Sequence, residues 1–177
     1  VIVGPLLTLL VAKQGKKTLK IDLAVIGVLQ LISLGYGLYI VAQGRPVWLV
    51  YNNKHFDVIQ AYEVVSSTKE SGSEFYLSYT GPLWAAVKPE AAILGADASY
   101  RQDSLMEFNN LASQAIINSN PIAILNSFND HSKVDLVLKQ YPLADGYIPM
   151  SAKNQSMVVL VSKSEQKVIA IVALAPW

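Results

Sequence analysis

The chain has 177 residues, 52% of them hydrophobic, with 14 basic against 13 acidic side chains and no cysteine. Those figures exclude disulfide frameworks, thiolate nucleophiles and cysteine zinc sites, and the slightly acidic balance past residue 43 gives no sign of a basic surface for nucleic acid there. The balance is uneven: Lys13, Lys16, Lys17 and Lys20 lie together near the start, while residues 44–177 hold ten basic residues against twelve acids in an ordinary soluble composition.

Val1 to Ala12 is uncharged and too short to span a bilayer, and it has neither a basic leader nor a small-residue cleavage site. It reads as the cytoplasmic half of a truncated transmembrane helix, kinked at Gly4-Pro5 where proline removes a backbone donor. The lysine loop from Lys13 to Lys20 follows, and then 22 uncharged residues, Leu23 to Gly44. As a helix, Leu23 to Ala42 would rise about 30 Å, the thickness of the hydrocarbon layer. Asp22 sits at its start, where a carboxylate favours the helix dipole. Lysine-rich short loops stay on the cytoplasmic side, so this helix runs outward and everything past Arg45 is expected outside the cytoplasm.

Within the span, Ser33 and Gly37 have small-xxx-small spacing, Gly35 thins the same region, and Gln30 is a polar amide needing a partner in lipid. These residues form a candidate groove for a helix, either the protein's own first one or that of a partner. Tyr36 and Tyr39 near the outer end, with Trp48 and Tyr51 just beyond it, are candidate anchors at the lipid headgroups. Trp48 and Phe56 fit the core of the following domain equally well.

Gly44-Arg45-Pro46 ends the helix, dividing the chain into a membrane part over residues 1–43 and an extracytoplasmic domain over 44–177. Strands are expected over Val47–Tyr51, Phe56–Val65, Phe75–Tyr79 and Leu83–Val87, with an exposed loop over Ser66–Glu74. Ser104-Leu-Met-Glu107 matches a capping box, and Leu105, Phe108, Ala112, Ala115 and Ile116 then recur at helical spacing. Ser132-Lys-Val-Asp135 repeats the device before a short helix closed by Pro142. Met157–Ser162, a polar turn over Lys163–Gln166, and Lys167–Leu174 form a hairpin signal. Trp177 either closes a sheet edge or fills a core gap. The fold class is a membrane-anchored α+β protein: a transmembrane helical hairpin with a partial first helix, then a mostly antiparallel sheet with one main helix.

Chemistry-bearing residues are sparse. His55 with Asp57 reads as a surface pair, and Asp130-His131-Ser132 holds the residue types of a hydrolytic triad in an order that prevents triad geometry. Asp97, Asp103, Glu63, Glu70 and Glu74 read as solvated surface, and Asn154-Gln-Ser156 matches a glycosylation sequon by pattern alone. No catalytic residue, metal ligand or cofactor-binding residue is assigned. An enzyme with a spatially assembled site, such as a membrane-tethered hydrolase outside the cytoplasm, is the competing class.

Gly4-Pro-Leu-Leu-Thr-Leu-Leu-Val11, Gly15-Lys-Lys17, Leu19-Lys20, Asp22-Leu23, Leu29-Gln-Leu31, Tyr36-Gly37, Gly44-Arg-Pro46 and the terminal Ala173-Leu-Ala-Pro-Trp177 resemble the type IV pilin accessory family of the TfpX and TfpZ kind. The resemblance covers residues 1–60 and the end, and is weak between them. It implies a bacterial inner-membrane protein with a periplasmic domain, acting in type IV pilus (fimbrial) assembly as a pilin-specific chaperone or assembly modulator. Its implied partners are the major pilin subunit, membrane lipid and other pilus assembly proteins; it implies no cofactor and supplies no catalytic residue.

Overall fold

The computed structural model describes residues 19–65, 77–78, 80–153 and 155–177, divided between two units, Val1–Arg45 and Pro46–Trp177. The apolar start, the lysine loop up to Lys17, the polar stretch 66–74 and most of the strand expected over 75–79 lie outside these residues, as does Asn154 of the sequon.

The first unit is described as one helix, α1, over Leu19–Gln43. Its sequence is free of proline and apolar around its whole circumference, the pattern of a helix immersed in a nonpolar medium rather than laid on a core. Lys20–Gln43 is long and apolar enough to cross a membrane, and none of its apolar window is buried among the described residues. At its end Gly44 N–H donates to the Ile40 carbonyl (3.1 Å) and the Arg45 guanidinium to that of Ala42 (2.6 Å). Pro46 cannot extend the helix, so the free carbonyls take these donors instead.

The second unit is a half-barrel sheet with helical segments on both faces. Its strands are β1 (Pro46–Asn52), β2 (His55–Gln60), β3 (Leu83–Val87), β4 (Leu105–Glu107), β5 (Asn120–Pro121), β6 (Gly146–Ala152), β7 (Gln155–Ser162) and β8 (Lys167–Val172). Their order is β4-β3-β1-β2-β6-β7-β8, with β5 also pairing β6. The β1/β3 and β2/β6 ladders are parallel and the other five antiparallel. The β1–β2 hairpin closes through Asn53 and Lys54, both with positive φ (43° and 74°), the backbone that a two-residue hairpin turn demands.

Alternation along the strands builds three cores. One face carries Leu49, Phe56, Ala86, Ile148, Met150, Val159 and Val161, filled by Phe108 and by Ala115 and Ile116 of the short helix α2 (Ala112–Ile117). On the opposite face, Trp48, Val50, Ile59 and Ala85 pack beneath Ala98 of the 3₁₀ stretch Pro89–Tyr100. Further along, Tyr147, Val158 and Leu160 pack against Leu125 and against Val134 of α3 (His131–Gln140). A register shift between Pro46 and Trp48 turns Val47 and Trp48, adjacent in sequence, into the same core.

The structure differs from the sequence expectations at identifiable points. Ser104 does not start a helix: Leu105–Glu107 pairs with Val87–Ala85 as β4, so an open strand edge outcompetes a local cap. The expected main helix shrinks to α2, and α3 is the longer one. The N-cap of α3 is Asp130, whose Oδ1 accepts from Ser132 N (3.1 Å) and Ser132 Oγ (3.0 Å). The second strand stops at Gln60, whose N–H donates to the Glu63 carboxylate (2.9 Å) as the chain turns into a 3₁₀ segment, Ala61–Glu63. Strand β6 carries no expectation, because Pro149 interrupts its pattern. Pro149 lies between the β5 pairs at Gly146–Tyr147 and the β2 pairs at Met150–Ser151, where that side of the strand has no ladder to break.

Candidate functional site

The surface of α1 is the first candidate. At 100° per residue, Gln30, Ser33 and Gly37 fall within about 60° of one another, so they share one stripe of the helix. Ser33 Oγ donates to the Leu29 carbonyl (2.9 Å), which satisfies the hydroxyl within the helix and leaves the stripe shallow. Among the described residues, no atom beyond the helix's own neighbouring backbone lies within 4 Å of where a Cβ would sit on Gly27, Gly35 or Gly37. Gly35 does not belong to that stripe: it is about 160° from both Ser33 and Gly37, on the side of Tyr39, whereas Tyr36 lies about 60° from Ser33. Both tyrosines are exposed, whereas the two aromatics just beyond α1 belong to the second unit's interior. Trp48 is completely buried, and Tyr51 is half-buried with its ring edge-on to Phe56 (5.4 Å) and Phe108 (5.9 Å). The bulge at Val47 thus turns Trp48 into the core, away from any headgroup layer, whereas Tyr51 keeps part of its surface exposed.

The second candidate is a polar chain at the β1–β2 turn. His55 Nε2 meets Asp57 Oδ1 at 3.1 Å, Asp57 Oδ2 accepts from Ser99 Oγ (2.8 Å), and Ser99 Oγ accepts from Asn52 Nδ2 (3.1 Å). Asn52 Nδ2 also donates to the Gly95 carbonyl (3.0 Å). The network sews the hairpin to the 3₁₀ stretch at Gly95, whose φ of 61° and ψ of −132° suit glycine alone. The hydrogen bond to Asp57 raises the His55 pKa above its usual value, opposed in part by burial. A hollow of about 390 Å³ opens beside it, lined by Tyr51, Asn52, Asn53 and His55 among others.

This network has the residue types of a hydrolytic triad in the wrong order. The carboxylate stands between serine and histidine, so the imidazole has no contact with the hydroxyl it would have to deprotonate. Ser99 is also fully buried, out of reach of a substrate. His131 is exposed at the first turn of α3, and Asp130 is committed to the cap. Asp103 is paired with Arg101 (3.0 Å), which lowers its pKa, while Glu63 pairs with Lys153 (2.7 Å). Among the described residues no cluster of three His, Cys, Asp or Glu side chains could hold a metal ion.

No family model, no curated protein and no solved structure matches the chain. What the geometry offers is surface for association: an exposed apolar helix, and a half-barrel whose polar groups are engaged in fastening segments together. The His55 network was legible only as an i, i+2 pair, because its other members, Asn52 apart, come from a segment more than 40 residues away.

Proposed function

We propose that this protein is a membrane-anchored accessory factor of type IV pilus biogenesis that holds pilin before assembly. In this reading α1 crosses the bacterial inner membrane, the lysine loop stays cytoplasmic and the half-barrel is periplasmic. The observation that carries it is α1 itself, an apolar helix of membrane-crossing length that no other described part of the chain covers. Two further observations support it. The residue string around α1 resembles the pilin accessory family, and pilin has an apolar N-terminal helix that a stripe such as Gln30, Ser33 and Gly37 would receive. The polar network of the second unit fastens structure and does not expose a nucleophile, which favours binding over hydrolysis.

Crosslinking in native membranes tests this. A photoreactive residue at Leu34 or Leu38 is expected to label pilin as the dominant neighbour, and Gly37→Leu is expected to weaken that labelling. Pilin that never appears among the products would overturn the reading, whereas labelling indifferent to Gly37→Leu would remove the stripe from it. Because the chain lacks cysteine, single introduced thiols report sidedness without background. Ser127→Cys, exposed in the second unit, is expected to react with an impermeant maleimide added from outside the cytoplasm.

A further inference from the structure

The half-barrel leaves two strand edges facing one groove. Among the described residues, β8 at one end of the sheet is paired only with β7. At the other end β4 stops at the Glu107–Ala85 pair, so Leu83 and Trp84 of β3 extend past it with no described strand on that side. A groove of about 610 Å³ is lined by both edges, with Leu83 and Trp84 on one wall and Lys167 and Val168 on the other. Its floor is apolar: Trp84, Phe108, Ala112 and Ile116, the two rings 5.9 Å apart within the aromatic cluster of the central core.

Strand edges present main-chain N–H and C=O groups at the repeat of an extended chain, so the complementary occupant is an extended peptide. The groove's charge selects its composition. The Glu107 carboxylate on the rim has no ion pair or hydrogen bond among the described residues, whereas Lys167 is already paired with Glu165. The site therefore holds one uncompensated negative charge beside an aromatic floor, complementary to lysine or arginine.

We propose that this groove binds an extended segment of a partner protein, added as a strand to β8, with alternate apolar side chains on the Trp84–Phe108 floor and a basic side chain at Glu107. The proposal is independent of which partner α1 recruits.

The test uses the full chain in neutral detergent micelles and three labelled decapeptides, followed by fluorescence anisotropy. The first alternates valine and lysine, the second alternates valine and glutamate, and the third is the lysine peptide with a central proline. Saturable binding of the first is expected, with the glutamate peptide about three- to fivefold weaker from the reversed charge pair. The proline peptide is expected to be about fivefold weaker from a lost ladder hydrogen bond. Glu107→Lys, an exposed substitution, should reverse the charge preference, and a photoreactive residue at Asn109 should label the bound peptide while one at Asn53 should not. Equal affinity of the three peptides, absence of saturable binding, or an unchanged preference in Glu107→Lys would overturn the proposal. So would a self-association through β8 that the lysine peptide fails to displace, since the groove would then serve a second copy of the chain.

Discussion

Both units are rich in leucine, isoleucine and valine, and they dispose of these side chains in opposite ways. On α1, Leu31, Ile32 and Val41 are 69%, 63% and 73% exposed, while Val50, Phe56 and Val159 in the sheet are fully buried. The difference follows from arrangement rather than amount. Strands β1, β2 and β7 alternate, so each face finds a partner layer within the unit; α1 is apolar all round, and no other described residue covers it. Apolar content thus stabilises the second unit internally, while on α1 it stays exposed among the described residues.

The largest test of that contrast is a matched pair of truncations. Phe56→Ala, in the centre of the aromatic cluster, is expected to cost about 3–5 kcal/mol in chemical unfolding of the full chain in micelles. Leu31→Ala should leave the unfolding midpoint of the sheet unit unchanged; equal losses would mean that α1 is part of the same core. Next in size, Ile32→Arg at mid-helix should disfavour membrane insertion by about 2.5–3.5 kcal/mol, read as the fraction of chain resisting alkaline extraction. The near-ultraviolet dichroism of the sheet should not move.

A smaller effect tests how tightly the second unit is packed. A Cβ on Gly146 would lie 2.4 Å from Ser119 Oγ and 3.3 Å from the Asn120 carbonyl oxygen, so Gly146→Ala is expected to lower stability by about 1–3 kcal/mol. Ser119 Oγ is buried without a hydrogen-bond partner. Ser119→Ala should therefore be nearly neutral alone and recover part of the loss in the double variant, a coupling that a double-mutant cycle measures.

The smallest effect is a pH dependence. Folding raises the His55 pKa, chiefly through its hydrogen bond to Asp57. The resulting stability is fully present below the unfolded histidine value of about 6.5 and fades as pH rises through the folded value. The pair is partly exposed to solvent, so the change should be only a few tenths of a kcal/mol, about the size of a screened surface pair. Its signature is a decline in unfolding midpoint from weakly acidic to weakly basic pH that His55→Gln flattens.

Much of this layout is readable from local pattern. The β1, β3 and β7–β8 expectations rest on alternation and turn residues, and the pairings agree with them. Where the sequence misleads, a distant partner has overruled a local signal. The capping box at Ser104 is sound as local chemistry, yet β3's edge claims Leu105–Glu107 as a strand. Strand β6 is hidden because Pro149 looks like a breaker until the gap beside it is seen. The position of Trp48 just beyond α1 points equally to lipid or to core, and only the bulge at Val47 decides for the core. The edge-lined groove is beyond sequence altogether, since its residues come from β3, the end of β4 and the turn after it, α2, and the start of β8.

Only Gly44 and Arg45 separate α1 from β1, and β1 is an interior strand hydrogen-bonded to β2 on one side and β3 on the other. Tension carried along the helix thus enters the sheet at Pro46, with no slack loop to absorb it. A strand pulled along its own axis between two neighbours loads many hydrogen bonds simultaneously instead of unzipping them one at a time. The attachment point is mechanically the stiff end of the half-barrel: β1 cannot be peeled from one neighbour while the other still holds it.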